Sequence, residues 1–169
     1  MNTRTFAAAA LVAAAVTTAP AGAASRAGAL DAHWLRQAAR TNLYEIAGAR
    51  IAASRATSPA AKNLAATVER DHQRQLDSVA RLAGSLHVGV SGNPTATQHW
   101  ELHVLTTLQG TAFDQSYAWL EEAHQGESLA DAQDAAAHAS SPAVRALARG
   151  MIPTLRAHLR LATAAKSGK

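Results

Sequence analysis

The chain has 169 residues, with 16 Lys and Arg against 12 Asp and Glu, 8 His and no Cys. This length fits one domain, and the lack of Cys excludes disulfides, thiolate zinc sites and iron–sulfur clusters. Alanine makes up about a quarter of the residues and aromatic residues only 4%, a composition that favours helices over strands. The formal net charge is +4, but both signs are interspersed, which is not the concentrated basic patch typical of nucleic-acid binding.

The segment 1–23 has the layout of a secretory signal peptide. Arg4 gives a positive start, an apolar run covers 6–16, and Ala21 and Ala23 are the small residues of a cleavage site. The run is shorter than the ~20 residues that span a bilayer. We therefore expect export to the periplasm or the medium, cleavage after Ala23, and a mature domain over 24–169. No other segment has transmembrane length, so any contact with the envelope is expected to be peripheral.

The mature chain is predicted to be helical throughout. Apolar residues at helical spacing predict four long helices, over 31–55, 59–86, 111–138 and 142–165. Ser58-Pro59 and Ser141-Pro142 are helix start signals, a capping residue followed by proline in the first turn. Pro153 lies inside the last helix and predicts a kink there. We detect no internal repeat.

The connections between these helices predict a ferritin-like topology. Two connections are short, which makes the helices they join antiparallel neighbours in a four-helix bundle. The long connection contains a loop over 87–94 and a shorter helix over 97–109. Its length allows it to cross the bundle from one end to the other, as a ferritin-like fold requires. We therefore predict an all-α, ferritin-like bundle with one extra helix in the crossover.

Each long helix turns one ionisable residue towards its apolar side. In chain order these residues are Glu45, His72, His124 and His158. Counting from the two short turns, at a helical rise of about 1.5 Å per residue, places all four near the middle of the bundle. Buried imidazole and carboxylate groups need partners, and three His with one carboxylate suit Fe, Zn or Cu. The sequence therefore predicts a shared transition-metal site.

Nearby acidic residues extend this prediction. Four of them are further candidates: Glu69, Asp71, Asp114 and Glu121. Glu69 and Glu121 lie three residues before His72 and His124, the pairing found in carboxylate-bridged di-metal bundles. An aspartate beside a ligand can instead orient the imidazole from outside the coordination sphere. The metal-free alternative is a buried polar cluster in which His72 bonds Glu45 and His158 bonds Asp114.

Three stretches of the chain resemble a known family. They are AARTNLYEIAGARIAASRATSPAAKNLAATVERDHQRQLDSVARLA, GTAFDQSYAWLEEAHQ and MIPTLRAHLRLA. They look like an exported bacterial family called domain of unknown function 4142, whose members often carry the label outer membrane protein. The resemblance covers 31–163 and rests on the Asp71-His72 pair, the Phe113-Asp114 pair and the segment from Pro153 to His158.

The resemblance implies a ferritin-like bundle without an established activity. The positions it carries over are Glu45, Asp71, His72, Asp114, Tyr117, His124 and His158. The chain departs from true ferritins before His158, where Thr154 and Leu155 stand and a Glu three residues ahead is missing. This departure weighs against di-iron ferroxidase chemistry.

Three kinds of function fit these observations. The first is metal binding or sensing by an exported bundle. The second is a metal-free structural or interaction role in the cell envelope, connected with stress, in which the polar core only fixes the register of the helices. The third is a metal-dependent oxidase or peroxidase, which would need an open coordination position. The sequence indicates no particular protein partner.

The export prediction can be tested on the native protein. Mass spectrometry should show a chain that begins at Ala24 or within about two residues of it, because the small residues end there. Native protein from the envelope fraction that still begins at Met1 would contradict a cleaved signal peptide.

Overall fold

The computed structural model describes residues 27–90 and 92–167, so the predicted signal peptide lies outside the described residues. These residues form five helices and contain no strand: α1 (Ala29–Arg55), α2 (Pro59–Ser85), α3 (Ala96–Thr107), α4 (Gly110–His138) and α5 (Pro142–Lys166). The predicted all-α fold class and the extra helix in the crossover are confirmed. None of these helices combines the length and apolar character needed to cross a bilayer.

Local sequence signals set the helix starts. The Ser58 hydroxyl accepts a hydrogen bond from the Ala61 amide, and the Ser141 hydroxyl accepts one from the Val144 amide. Thr95 and Gln98 form a reciprocal capping box at the start of α3. Pro153 does not end α5, which continues as one helix to Lys166.

Two antiparallel hairpins make up the bundle. Helix α1 packs along α2, and α4 packs along α5. The hairpins meet through α2 with α5 and α1 with α4, while α3 lies against α1 and α4. In space, the end of α2 lies beside the start of α1, and the start of α4 lies beside the end of α1. The connection that contains α3 therefore runs the length of the bundle.

Most of the apolar core lies in two clusters at the two ends of the bundle, and a third, smaller cluster contains Ala132, Met151 and Leu155. One cluster lies near the α1–α2 turn and includes Leu64, Val68, Phe113 and Leu105. The other lies near the α4–α5 turn and includes Leu35, Val79, Leu86 and Val144. Alanines fill many of the remaining buried positions in both clusters. Their small side chains let the helix backbones approach closely, so polar side chains between the clusters can reach one another.

The two hairpins are joined by a pair of aspartates. In α1, the Asp31 carboxylate accepts hydrogen bonds from the Ser140 amide (2.9 Å), the Ser140 hydroxyl (2.7 Å) and the Ser141 amide (2.7 Å). In α4, the Asp114 carboxylate accepts from the Thr57 amide (2.9 Å), the Thr57 hydroxyl (2.6 Å) and the Ser58 amide (2.8 Å). Each aspartate therefore caps the start of a helix in the other hairpin.

These contacts reveal an internal repeat, so the expectation of none was wrong. The positions of Asp31 and Asp114 differ by 83 (114 minus 31), and the same difference relates Thr57 to Ser140 and Pro59 to Pro142. The repeat is clearest at the two short turns, where ATSPAAKNLA over 56–65 and ASSPAVRALA over 139–148 are identical at six of ten positions. Elsewhere the two halves share few residues apart from alanine. We call the two halves pseudo-symmetric and this difference the half-to-half offset.

The caps hold charged carboxylates against helix starts. Burial alone would raise the pKa of Asp31, but its hydrogen bonds from Ser140 and Ser141 lower that pKa below its ordinary value. Thr57 and Ser58 lower the pKa of Asp114 in the same way. The negative charge also suits the positive end of the helix dipole.

We expect Asp31→Ala and Asp114→Ala each to reduce the free energy of unfolding by about 2–3 kcal/mol, since each removes charged hydrogen bonds and a helix cap. Their folded-state pKa values are depressed, so the stabilisation is present above the unfolded pKa near ~4 and is lost as pH falls through the folded value. Urea unfolding at neutral and acid pH measures both effects. The exposed Asp77→Ala is the control, and losses at neutral pH no larger than its own would contradict the capping role.

Candidate functional site

A layer of polar side chains crosses the bundle between the two apolar clusters. Each long helix contributes one buried carboxyl or imidazole group to it: Glu45 (0% exposed), His72 (1%), Glu121 (3%) and His158 (0%). Three of these are residues that the sequence predicts as metal ligands. The residue from α4 is Glu121, which the sequence predicts only as a further candidate. We call these four residues the core cluster.

His72 is held in one tautomer by two amide side chains. Its Nδ1 lies 3.0 Å from Asn42 Oδ1, and the Asn42 amide nitrogen donates to the Ala38 carbonyl. This second bond turns the Asn42 oxygen towards His72, so Nδ1 carries the proton and Nε2 keeps its lone pair. Burial, and then the nearby His158, lower the pKa of His72 to about 3. The imidazole is therefore neutral at physiological pH.

Gln125 bridges His72 and Glu121. Its Nε2 lies 3.0 Å from His72 Nε2 and 3.2 Å from Glu121 Oε2. The amide thus places one N–H on an imidazole lone pair and the other on a carboxylate oxygen. Its own Oε1 is buried and has no hydrogen-bond partner.

Glu45 and Glu121 form a buried carboxyl pair. Burial raises the pKa of both, and the neighbouring Glu121 raises that of Glu45 further. Two adjacent carboxylates in a low-dielectric interior do not both ionise, so the pair retains a proton at neutral pH. The retained proton lies between the two carboxyl groups, since a hydrogen bond with Glu121 contributes to the raised pKa of Glu45. Burial and these carboxyl groups also raise the pKa of Tyr117.

His158 presents a second neutral imidazole. Its Nε2 lies 3.1 Å from Asp71 Oδ2, and Arg70 and Arg74 bind the same carboxylate. Burial alone would raise the pKa of Asp71. Its hydrogen bonds with Arg70, His158 and Arg74 nevertheless hold that pKa below its ordinary value. The ionised Asp71 accepts the Nε2 proton, and burial lowers the pKa of His158. The lone pair on its Nδ1 is buried without a partner, and the two imidazole centroids are 5.1 Å apart.

The structure does not bring His124 into the core cluster. Its Nε2 lies 3.0 Å from Glu101 Oε2 on α3, and its ring lies edge-on to Tyr44 with centroids 4.7 Å apart. His124 therefore faces the crossover helix at the side of the bundle. The expectation that it lies with Glu45, His72 and His158 was wrong, because α3 covers that face of α4.

The remaining candidates have other partners. Glu69 binds Arg50 on the surface at 2.8 Å, and Asp114 caps α2. Asp71 orients His158, which is the role the sequence predicts for an aspartate beside a ligand. The expected metal-free pairs were wrong, since His72 bonds the two amides rather than Glu45, and His158 bonds Asp71 rather than Asp114.

Sequence reasoning missed the two amides. Asn42 lies three residues before Glu45, and Gln125 lies four residues after Glu121, so each shares a helix face with a buried glutamate. This shared helix face is the signal in the sequence that identifies both amides. The half-to-half offset (125 minus 42) also relates Asn42 to Gln125.

The cluster is incompletely satisfied and contains no preformed metal centre. In residues 27–90 and 92–167, no three His, Asp or Glu side chains are placed to hold a metal ion. Two buried atoms of the layer nevertheless lack a partner among the described residues: Gln125 Oε1 and His158 Nδ1. Each such atom costs ~1–3 kcal/mol unless water or another group bonds it. A dinuclear carboxylate site does not fit, because Glu69 faces outward and Leu155 precedes His158.

Comparison with known proteins supports the fold. The family model described as "Domain of unknown function (DUF4142)" matches residues 15–165. The solved structure "Crystal structure of DUF305 fragment from Deinococcus radiodurans" is similar with a TM-score of 0.74 and 16% sequence identity, over 84% of this chain and 98% of that chain. At this identity the likeness shows the fold alone. No curated protein matches the chain.

In metal-free protein, we expect Glu45→Gln to raise the free energy of unfolding by about 0.5–2 kcal/mol at pH 8 and by less at pH 5. The folded pKa of Glu45 is raised, so the wild type loses stability as pH rises above the unfolded value near ~4.3, whereas Gln does not titrate. Urea unfolding with a chelator measures the difference. Glu127→Gln, at an exposed position on α4, is the control. A loss of stability at both pH values would show that the carboxyl pair is not strained.

Proposed function

The chain belongs to the DUF4142 family, and we propose that it is an exported protein that binds one transition-metal ion at the centre of its bundle. The proposed ligands are the four residues of the core cluster, Glu45, His72, Glu121 and His158. The signal-peptide pattern of segment 1–23 supports export.

The position of the Gln125 amide carries the proposal. Its nitrogen lies between His72 Nε2 at 3.0 Å and Glu121 Oε2 at 3.2 Å. The two acceptor atoms bind the N–H groups of an amide, which carry only a partial positive charge. The same two atoms would attract a metal cation more strongly. Glu45 adds two buried carboxyl oxygens beside Glu121. Rotation of the Gln125 side chain would vacate the space between the acceptors.

The donor set suits a borderline transition metal. Imidazole nitrogen combined with carboxylate oxygen is compatible with Fe, Zn and Cu. Asn42 holds the Nδ1 proton of His72, and Asp71 holds the Nε2 proton of His158, so each ring offers its other nitrogen. A bound cation would replace the proton that the Glu45–Glu121 pair retains.

A metal-free structural role in the envelope is the second candidate. The observation that favours it is the same amide, because Gln125 already gives both His72 and Glu121 a hydrogen-bond partner. In this case the polar layer only fixes how the helices meet. The two candidates make opposite forecasts for the effect of metal on stability.

We expect one of Zn, Fe or Cu to raise the melting temperature of chelator-treated protein at pH 7 by about 10 °C. A ligand at ~1,000 times its Kd adds about 4 kcal/mol to the native state, and each kcal/mol raises Tm by roughly 3 °C in a domain of this size. His72→Ala and Glu121→Ala should each abolish the increase, although they lie in different hairpins. Differential scanning calorimetry with and without each metal makes the measurement.

The matched control is His124→Ala, which removes a half-buried imidazole from α4 outside the core cluster. This variant should keep the full metal-dependent increase in Tm. If no metal changes the wild-type melting temperature, the metal proposal is wrong and the structural role remains. An increase that His124→Ala abolishes would instead restore the ligand set expected from the sequence.

A further inference from the structure

A small cavity lies beside the core cluster, among α1, α2, α4 and α5. Its volume is about 30 Å³, which is room for one water molecule or an ion of similar size. Asn42, His72 and Gln75 line its inner end. Gln75 is 9% exposed, and neither its Oε1 nor its Nε2 has a hydrogen-bond partner. These polar atoms are therefore left for a ligand that occupies the cavity.

The outer end of the cavity reaches the surface between α1 and α4. Thr41 and Ser128 are half-buried there, and Asp131 is exposed. Hydroxyl groups and a carboxylate thus surround the entrance, while Trp34 and Met151 form apolar walls. A negative charge at the mouth of a narrow cleft raises the local concentration of cations.

The pseudo-symmetry of the bundle explains why this cavity exists. The half-to-half offset relates each member of the core cluster to a cavity residue: Glu121 to Ala38, Glu45 to Ser128, His72 to Leu155 and His158 to Gln75. The cavity is therefore the counterpart of the core cluster in the other half of the bundle. Glu121 and Glu45 are matched there by the much smaller Ala38 and Ser128, and the space that these side chains do not fill remains open.

We propose that this cavity is the port through which a cation enters the bundle and reaches His72. The inference rests on the proposed metal site and concerns its route of loading. His72 forms part of the cavity wall on one side and offers Nε2 to the core cluster on the other. Because the cavity holds one water-sized ligand, the ion sheds most of its water on entry. The amide oxygen of Gln75 and the hydroxyl of Thr41 replace part of that water.

Stopped-flow uptake of Co²⁺ by the metal-free protein tests the port. Ser128→Leu fills the entrance and should slow uptake by about tenfold or more, because a packed interior admits no ion without opening. Its equilibrium Kd should stay unchanged, since a port alters entry and exit alike. Ser116→Leu is the matched control, a half-buried serine on the same helix that does not line the cavity. It should load at the wild-type rate.

A second pair of variants tests the charge at the mouth. Asp131→Asn should slow uptake by about two- to fivefold at low salt, with a smaller effect at about 0.5 M salt, because screening weakens steering. Asp77→Asn makes the same change in net charge on α2, away from the cavity, and should have no such effect. If Ser128→Leu fails to fold, the comparison of Asp131→Asn with Asp77→Asn still tests whether the cavity is the port.

The outcomes separate the port from the metal site. If Co²⁺ binds and Ser128→Leu loads as fast as Ser116→Leu, the port is wrong and the metal site stands. Loss of equilibrium binding in Ser128→Leu would also contradict the port, because the effect should be on rates alone. If Co²⁺ and the other metals fail to bind wild-type protein at equilibrium, both proposals are wrong.

Discussion

The reciprocal caps made by Asp31 and Asp114 set the relative height of the two hairpins. Each carboxylate accepts three hydrogen bonds from the turn of the opposite hairpin, at opposite ends of the bundle. One hairpin cannot slide along the other without breaking bonds at both ends. This fixed register is what places His72 of the first hairpin within hydrogen-bond distance of Gln125 in the second. The polar layer therefore depends on two residues that lie far from it.

The layer itself opposes stability, and the two apolar clusters offset it. Alanine-rich interiors bury little apolar area per residue, and burial of a carboxyl pair adds a further cost. Leu or Met at Glu45 would fill the same volume without that cost, as replacement of buried ionic groups by apolar residues often shows. Buried ionisable groups with perturbed pKa values occur at functional sites and in structural polar networks, which are the two roles proposed above for this layer. The polar side chains of this layer thus provide the proposed site but lower the stability of the fold.

Periodicity predicts the helices, the bundle and the inward position of Glu45, His72 and His158, because each of those faces packs against another long helix. It fails at His124 and Glu121 for a physical reason. Helix α4 is covered on one side by α3 and on the other by the bundle, so it lacks one clear apolar stripe. His124 contacts Glu101 of α3, whereas Glu121 lies at the centre of the bundle. The aspartate caps escape prediction because they join residues that are far apart in the chain.

Pseudo-symmetry also bears on how many ions the bundle can hold. Carboxylate-bridged di-metal bundles draw equivalent ligands from both halves. In this chain the amides are repeated, with Asn42 and Gln125 on either side of His72, but the ligands are not. The counterpart of His72 is Leu155 and that of Glu45 is Ser128, neither of which provides an imidazole or a carboxylate. The half of the bundle that would hold a second ion contains the cavity instead. The fold therefore retains a symmetric frame of helices and caps around an asymmetric set of polar side chains, so under the proposed function only one half of the bundle supplies ligands.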